Sequence, residues 1–415
     1  MSPSAYIDRH RGQLTSFLRD LVRIPTVNPP GDRYGEITEL LAARLEGIGL
    51  ATHRYAVPKT LLRKTLPSGQ PPLPRYNVLG KWRVPGARRT VHFNAHYDVV
   101  PVSGRWKAGG PFSGATLGGH VYGRGTADMK GSIASLVIAL QAIRACGLRP
   151  SLNVEVSFTA DEETDSLLGT GWLVKHAPLE PDYAVVMEGG EGNCICCGHN
   201  GVTWLQVTVH GRAAHGSTPQ EGVNALEKMS ALVMELDHYK RILSHRPFLA
   251  PDGRRMVPTI NVGGVFDSGP GGKINTVPSL ASFSIDRRVL AVENHAHAER
   301  ELRAYLEAAA RRIPQCRITI NKVSDNFGSF HPPEHPFLST VADIVHRVRK
   351  QPTVFTVASG FNDMYFFASE LKIPTVGYGP GGQDYHAINE RASIKELAAS
   401  AKIYAELMTN GGAAL

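Results

Sequence analysis

The feature that most constrains the fold of this chain is the alternation of apolar, strand-like runs with amphipathic helical stretches. Helical spacing is found at 5–22 and 37–48 and again from residue 130, with Pro25, Pro29 and Pro30 separating the first two stretches. The strand-like runs lie at 77–82, 90–95, 152–159 and 183–187, and the proline-rich stretch 57–75 is predicted to be irregular. Such alternation is typical of an α/β fold with a largely parallel sheet.

The pattern changes near residue 200. From there the chain follows the order βαββαβ, at 202–209, 223–236, 259–265, 280–285, 293–312 and 317–320, and it then returns to βα rhythm. A length of 415 residues also exceeds what one hydrophobic core usually serves. We therefore expect one domain formed by 1–199 and 324–415, with a compact α+β domain inserted at 200–323.

Composition and charge exclude several classes of protein. The net charge is +8, but the basic residues are dispersed and form no basic face, so we expect no nucleic-acid partner. No apolar run approaches the roughly 18 residues of a membrane helix, so we expect no membrane span. Five scattered cysteines and an N-terminus without a secretory signal predict a reducing, cytoplasmic location.

The first candidate site residues end the strand-like run 90–95. His96 and Asp98 lie two positions apart, so they share a face if the strand continues through them. A metal-binding histidine usually donates its second ring N–H to a carboxylate, which Asp98 can accept. Taken alone, such a pair more commonly consists of two surface side chains.

The segment from Gly123 to Gly131 presents Asp128 at the start of a helix. Its glycines imitate a dinucleotide-binding fingerprint, but Asp128 occupies the third glycine position and the later acidic residue is missing, so we reject that interpretation. The glycines instead allow a tight turn. The simple alternative is that Asp128 only caps the helix.

Two further acidic segments follow strands. Asp161, Glu162 and Glu163 come directly after the run 152–159, and Glu188 ends the run 183–187. Adjacent carboxylates leaving a strand diverge, so one can bind a metal while its neighbour takes a proton from water. His386 follows a glycine-rich turn. Each of these, alone, is compatible with an ordinary solvated turn or strand end.

Together these segments predict a site. Four of the five follow strands, and open α/β sheets place their crevice at the carboxyl ends of the strands. Two histidines with three or four carboxylates converging there are typical of a hydrolytic centre with two metal ions.

With these residues in this order, the chain resembles the M20 metallopeptidases, which include acetylornithine deacetylase, succinyl-diaminopimelate desuccinylase and carboxypeptidase G2. The resemblance implies a three-layer, zinc-peptidase-like catalytic domain with an inserted ferredoxin-like lid and dimerisation domain. The implied ligands of one metal are His96, Asp128 and Glu188, and those of the second are Asp128, Glu163 and His386. Glu162 is then the general base and Asp98 the partner of His96, and the Asp128–Met129 peptide is expected to be cis.

The resemblance also assigns roles in the insert. His215 is implied to stabilise the oxyanion, in several members from the partner subunit, and a homodimer through the lid domain is therefore expected. Asn275 and Arg287 are candidate anchors for a substrate carboxylate, because arginine grips a carboxylate with two hydrogen bonds. Their alternative roles are a loop-bracing amide and a surface charge.

The chain departs from the family pattern at Phe361, where a small residue is common. Tyr97, Tyr378 and Tyr385 also lie beside predicted site residues, and aromatic walls favour flat or apolar substrates. The alternative is that these rings pack beneath the site. The departures motivate a second chemistry for the same centre, the hydrolytic deamination of an aromatic amino acid-like compound.

The function predicted from the sequence is metal-dependent hydrolysis of a C–N bond in a small carboxylate-bearing substrate, such as an N-acyl amino acid or a dipeptide. The ligand types permit zinc, manganese or cobalt, with one or two ions per subunit. A non-catalytic binding protein on the same scaffold is the remaining alternative, although the general base and all five ligands are present.

Overall fold

The structure, a computed structural model, describes residues 1–269, 272–413 and 415. The helices are α1 Pro3–Arg9, α2 Arg11–Val22, α3 Tyr34–Ile48, α4 Lys59–Thr65, α5 Gly131–Ala145, α6 Thr170–His176, α7 Ala225–Ser244, α8 His295–Arg312, α9 Pro336–Arg349 and α10 Ile394–Asn410. One-turn helical segments lie at Thr126–Lys130, Pro219–Glu221, Phe366–Glu370 and Gly411–Ala413.

The strands of the first half of the chain are β1 Ala51–Ala56, β2 Tyr76–Trp82, β3 Thr90–His96, β4 Ala115–Leu117, β5 His120–Tyr122, β6 Asn153–Thr159, β7 Tyr183–Val186, β8 Cys194–His199 and β9 Gly201–His210. Those of the second half are β10 Phe248–Leu249, β11 Arg255–Met256, β12 Thr259–Asp267, β13 Leu280–Val289, β14 Arg317–Asn326, β15 Ser329–Phe330, β16 Val354–Ala358, β17 Thr375–Gly377 and β18 Arg391–Ser393.

The chain divides into two compact units. The first comprises Met1–Cys197, His331–Thr356 and Asn362–Leu415, and the second comprises Gly198–Phe330 and Val357–Phe361. The roles of a catalytic domain at 1–199 and 324–415 and of a lid at 200–323 stay predictions.

The first unit is built on a mixed sheet in the order β1-β2-β6-β3-β7-β17-β8. Its centre is parallel, because β3 runs parallel to β6 and β7, and β17 runs parallel to β7. Every residue of β3 and β6 is buried, as expected for parallel strands covered on both faces. The helix α5, buried around most of its circumference, packs against α10, α2 and α1.

The second unit is an α+β fold of its own. Its antiparallel sheet has the order β12-β13-β9-β14, so the first and third strands along the chain occupy the centre. The helices α7 and α8 pack on this sheet, and apolar side chains of both elements form one buried cluster. The βαββαβ pattern predicted such an α+β unit, and the strand order is the ferredoxin-like one that the resemblance implied.

Two local predictions were wrong. The single helix expected at 5–22 is two helices, α1 and α2, divided at His10, whose ring stacks on Tyr6. The stretch 57–75, expected to be irregular, contains α4, which buries Leu62 against Leu168 and Trp172. That contact joins distant parts of the chain, so local periodicity could not indicate it.

Among the described residues, no helix combines the length and the low charge that crossing a bilayer requires.

Candidate metal centre

The parallel strands bring the predicted site segments to one edge of the first unit's sheet. The last residue of β3, His96, lies opposite Thr159 at the end of β6, and Asn94 lies opposite Val186 at the end of β7. The residues that follow these strands therefore meet at the carboxyl edge, where open α/β sheets form their crevice. They include Glu162, Glu163 and Glu188.

The first group of possible metal ligands is His96, Asp128 and Glu188, whose ligand atoms all lie within 4.8 Å of one another. The His96 Nε2 atom is 3.0 Å from Asp128 Oδ1, and the imidazole is completely buried. The Oε1 atom of Glu188 is buried and has no hydrogen-bond partner among the described residues. A buried, unpartnered carboxylate oxygen beside an imidazole suits a divalent cation.

The second group consists of Asp128, Glu163 and His386, with ligand atoms again within 4.8 Å of one another. His386 Nε2 lies 3.1 Å from Asp128 Oδ2 and 3.1 Å from Glu163 Oε2. Asp128 thus turns one oxygen toward His96 and the other toward His386, as a bridging ligand requires. The Asp128–Met129 peptide is cis, as the resemblance implied.

Glu162 lies beside these groups but belongs to neither of them. Its Oε2 atom is 3.9 Å from His96 Nε2, and its side chain is largely buried. Burial, together with the neighbouring Glu188 carboxylate, raises the pKa of Glu162 well above its usual value. A carboxylate that lies beside both ligand groups and belongs to neither is free to take a proton from water, as general-base chemistry requires.

Asp98 braces the turn that carries the two glutamates. Its carboxylate accepts the backbone N–H of Glu162 at 3.1 Å and that of Glu163 at 3.2 Å, and the Asn28 side-chain amide at 3.0 Å. Its contact with His96 is mostly through the main chain, since His96 Nδ1 lies 3.1 Å from the Asp98 carbonyl oxygen and 3.4 Å from Oδ1. Asp98 is therefore placed to position both the turn and the imidazole.

Sequence reasoning missed a buried ion pair behind this turn. Arg75 Nε donates to Asp161 Oδ2 at 2.9 Å, and both side chains are buried. The other oxygen of Asp161 accepts the Tyr34 hydroxyl at 2.9 Å and the Asn28 amide at 3.1 Å. No local pattern marks Arg75, because its partner is 86 residues away in the chain.

The predicted substrate-binding residues and His215 all lie in the second unit. His215 is exposed, with Nδ1 bonded to the Ser217 hydroxyl at 2.7 Å, and Asn275 is exposed too. Arg287 is completely buried, and Nη2 donates to Glu293 at 2.9 Å, so its guanidinium serves an internal ion pair. Phe361 is half-buried, with its ring edge-on to His199. The substrate-binding roles of these residues stay predictions.

Two of the aromatic residues expected to wall the site are buried. The Tyr97 hydroxyl donates to the Tyr76 carbonyl, and the Tyr378 hydroxyl donates to the Gly192 carbonyl, with both rings shielded from solvent. Tyr385 is exposed. For Tyr97 and Tyr378 the alternative interpretation applies, that the rings pack beneath the site.

Comparison with known proteins places these observations in a family. Residues 92–410 match the peptidase family M20/M25/M40. The chain is 27% identical over 401 residues to the succinyl-diaminopimelate desuccinylase of Rhodopseudomonas palustris, covering 94% of this chain and 96% of the relative.

Solved structures agree with this match at the level of the fold. A tripeptidase from Staphylococcus aureus superposes with a TM-score of 0.74 at 18% identity, covering 97% of this chain and 99% of that one. A Bacillus subtilis protein described as a dinuclear metal-binding M20 peptidase superposes with a TM-score of 0.69 at 14% identity, covering 97% and 98%. The chain therefore belongs to the M20/M25/M40 peptidase family and is a hydrolase of amide or peptide C–N bonds.

Proposed function

We propose that this enzyme cleaves the amide or peptide bond of a small carboxylate-bearing substrate at a centre of two divalent cations. His96, Asp128 and Glu188 would hold one cation, and Asp128, Glu163 and His386 the other. The observation that carries the proposal is that two groups of possible ligands share Asp128. Glu162 lies beside these groups but is a member of neither. Imidazole and carboxylate donors suit zinc, manganese or cobalt.

When bound, the cations supply a water molecule of lowered pKa and polarise the carbonyl that is attacked. The remaining chemistry belongs to the side chains. Glu162 accepts the proton of the attacking water and returns it to the departing amine nitrogen. Asp98 keeps Glu162 in place through the backbone N–H of the turn.

One residue of the second unit has a proposed part in the reaction. His215 donates a hydrogen bond to the oxygen that becomes negative during attack, and Ser217 orients its ring. In several members of the family this histidine comes from the partner subunit, and we propose a homodimer formed through the lid, residues 200–323. Asn275 is exposed and remains the better placed candidate for a substrate carboxylate, since Arg287 is paired with Glu293.

The substrate class follows from the relatives. One relative is a succinyl-diaminopimelate desuccinylase, and a structural neighbour is a tripeptidase. We therefore propose N-acyl amino acids and short peptides as the substrates of this enzyme. We do not propose deamination of an aromatic compound, because two of the rings that motivated this alternative, Tyr97 and Tyr378, are buried.

The test is release of a free amine from a panel of N-succinyl and N-acetyl amino acids, dipeptides and tripeptides, in the presence of zinc, manganese or cobalt. We expect at least one class to be hydrolysed. Glu162→Gln should bind the metal as the wild type does and lose about 10²–10⁴ in kcat, the usual contribution of a general base.

The matched control is Glu155→Gln, another buried glutamate, which is held by Lys81 and His92 in the interior of β6. Its kcat should stay close to that of the wild type. A metal-loaded enzyme that cleaved no amide in the panel would contradict the proposed reaction, and near-normal turnover of Glu162→Gln would contradict the role of Glu162.

A further inference from the structure

A second buried ion pair of the first unit lies outside both ligand groups. Arg124 Nη1 donates to Glu390 Oε2 at 2.7 Å, and the two side chains are 3% and 0% exposed. Desolvating two charges is costly, so a pair of this kind persists only where further hydrogen bonds satisfy it. Those further bonds lead to two proposed metal ligands.

The first of them is Asp128. The other carboxylate oxygen of Glu390, Oε1, accepts the backbone N–H of Ala127 at 2.9 Å and that of Asp128 at 3.2 Å. Glu390 therefore fixes the main chain at the residue that would bridge the two cations.

The second is His386. Arg124 Nη2 donates to the His386 carbonyl oxygen at 3.0 Å, and Nη1 is 3.3 Å from the Ala387 carbonyl oxygen. The planar guanidinium thus spans from the Glu390 carboxylate to the main chain of the histidine. Asp128 and His386 are 258 residues apart in the chain, and this pair ties their backbones together.

The segment that carries His386 needs such support. Asp384, His386 and Asn389 have φ angles of 58°, 58° and 67°, in the left-handed region that side chains disfavour. The His386 side chain is also 53% exposed. By contrast, His96 ends the fully buried strand β3 and Glu188 follows the largely buried strand β7, so the sheet itself holds these two ligands.

We propose that Arg124 and Glu390 are positioning residues that set the affinity of the second cation, by holding the His386 main chain against Asp128. The inference rests on the proposed function, because it assumes that the two ligand groups bind metal. It predicts an asymmetry: loss of Arg124, which donates to the His386 main chain and not to that of Asp128, weakens the cation held by Asp128, Glu163 and His386 more than the one held by His96, Asp128 and Glu188.

The test is a titration of metal-free protein with zinc alone, in competition with a chelating dye. The wild type should take up two equivalents, and His386→Ala identifies the weaker-bound one that depends on His386. Arg124→Met should weaken that same equivalent at least tenfold and change the other by less than threefold. Arg124→Lys keeps a charge for Glu390 but cannot span to the carbonyl, so it should weaken the same equivalent at least fivefold.

Glu155→Gln is again the matched control, since it removes a buried carboxylate far from the proposed site. Glu155 lies six residues before Asp161, which is about 20 Å along an extended strand at about 3.3 Å per residue. It should leave both equivalents unchanged. Thermal unfolding of every variant shows whether it is folded. If Arg124→Met does not fold, the zinc titration of Arg124→Lys tests the inference instead.

Two outcomes would overturn the inference while the proposed function stands: unchanged zinc binding in both Arg124 variants, or equal weakening of both equivalents. A wild type that binds no zinc, manganese or cobalt would instead remove the proposed function. One that binds a single equivalent, unaffected by His386→Ala, would overturn the inference directly.

Discussion

Two proposed metal ligands, Glu188 and His386, have raised pKa values for different reasons. Burial raises the pKa of Glu188 to about 8. Hydrogen bonds to Asp128 and Glu163 raise the pKa of His386 to about 10. At neutral pH the side chains of the cation-free site therefore hold protons where a metal would bind. Metal ligands must lose these protons, so binding and titration are linked.

This linkage predicts that metal binding releases protons. At pH 7, below both raised pKa values, Glu188 and His386 are protonated without the cation, and each gives up its proton on binding. Against the effect of burial, hydrogen bonds to Asp128 and Asp98 also raise the pKa of His96 well above its usual value, so this ligand loses a proton as well. We therefore expect a release of about two to three protons per chain, and an affinity that increases as the pH is raised from 6 toward 8. Calorimetric titration with zinc in buffers of different ionisation enthalpy measures the number of protons released.

The control for this measurement is His386→Ala, which should release about one proton fewer than the wild type. A heat of binding that did not depend on the buffer would contradict the assignment of Glu188 and His386 as protonated ligands.

At the scale of elements, the turn after β6 is held by side chains from distant segments. Asp161 has a left-handed φ of 59°, and its carboxylate is bound by Arg75 and Tyr34. Arg75 in turn requires Gly31: a Cβ atom there would lie 2.6 Å from the guanidinium, and Gly31 has a φ of 95°. Two segments distant in sequence, one with Gly31 and Tyr34 and one with Arg75, thus fix the turn that directs Glu162 and Glu163.

This arrangement predicts a strong coupling between Arg75 and Asp161. Arg75→Met leaves a buried carboxylate without its cation and should reduce the free energy of unfolding by about 3–5 kcal/mol. Adding Asp161→Asn removes that stranded charge, so the double variant should recover about 1–3 kcal/mol relative to the sum of the single changes. Urea unfolding of the four proteins measures the coupling.

The exposed pair Arg347 and Glu406 gives the comparison, with side chains 52% and 23% exposed. The same double-mutant cycle there should yield less than about 1 kcal/mol. A coupling for Arg75 and Asp161 as small as that would show that the pair does not hold the turn.

The elements also show which parts of the site were predictable. His96 ends a buried strand, and Glu163 and Glu188 follow two others, so their convergence follows from the parallel order of the sheet. Arg75, Arg124 and Glu390 were not recognised as a supporting set, because each acts on a partner far away in sequence. The burial of Tyr97 was equally hidden, since strand alternation does not tell which face of a doubly covered sheet leads to solvent.

At the scale of the whole molecule, the two units have separate cores. In the second unit, α7, α8 and the four-stranded sheet share one cluster that includes Leu205, Leu236, Phe283 and Leu302. All residues of this cluster lie within Gly198–Phe330. A segment of this length with its own buried core is in the usual range of an independent domain.

We therefore expect the fragment 198–330 to fold alone. It should unfold in a single cooperative thermal transition, followed by circular dichroism, and show dispersed amide signals by NMR. Leu302→Ala opens a cavity in the cluster and should reduce its free energy of unfolding by about 2–5 kcal/mol. Met234→Ala, on the exposed side of α7, should change it by no more than about 0.5 kcal/mol. If the fragment shows no cooperative transition, or if the two substitutions have equal effects, this cluster is not a self-sufficient core, and the second unit depends on the rest of the chain to fold.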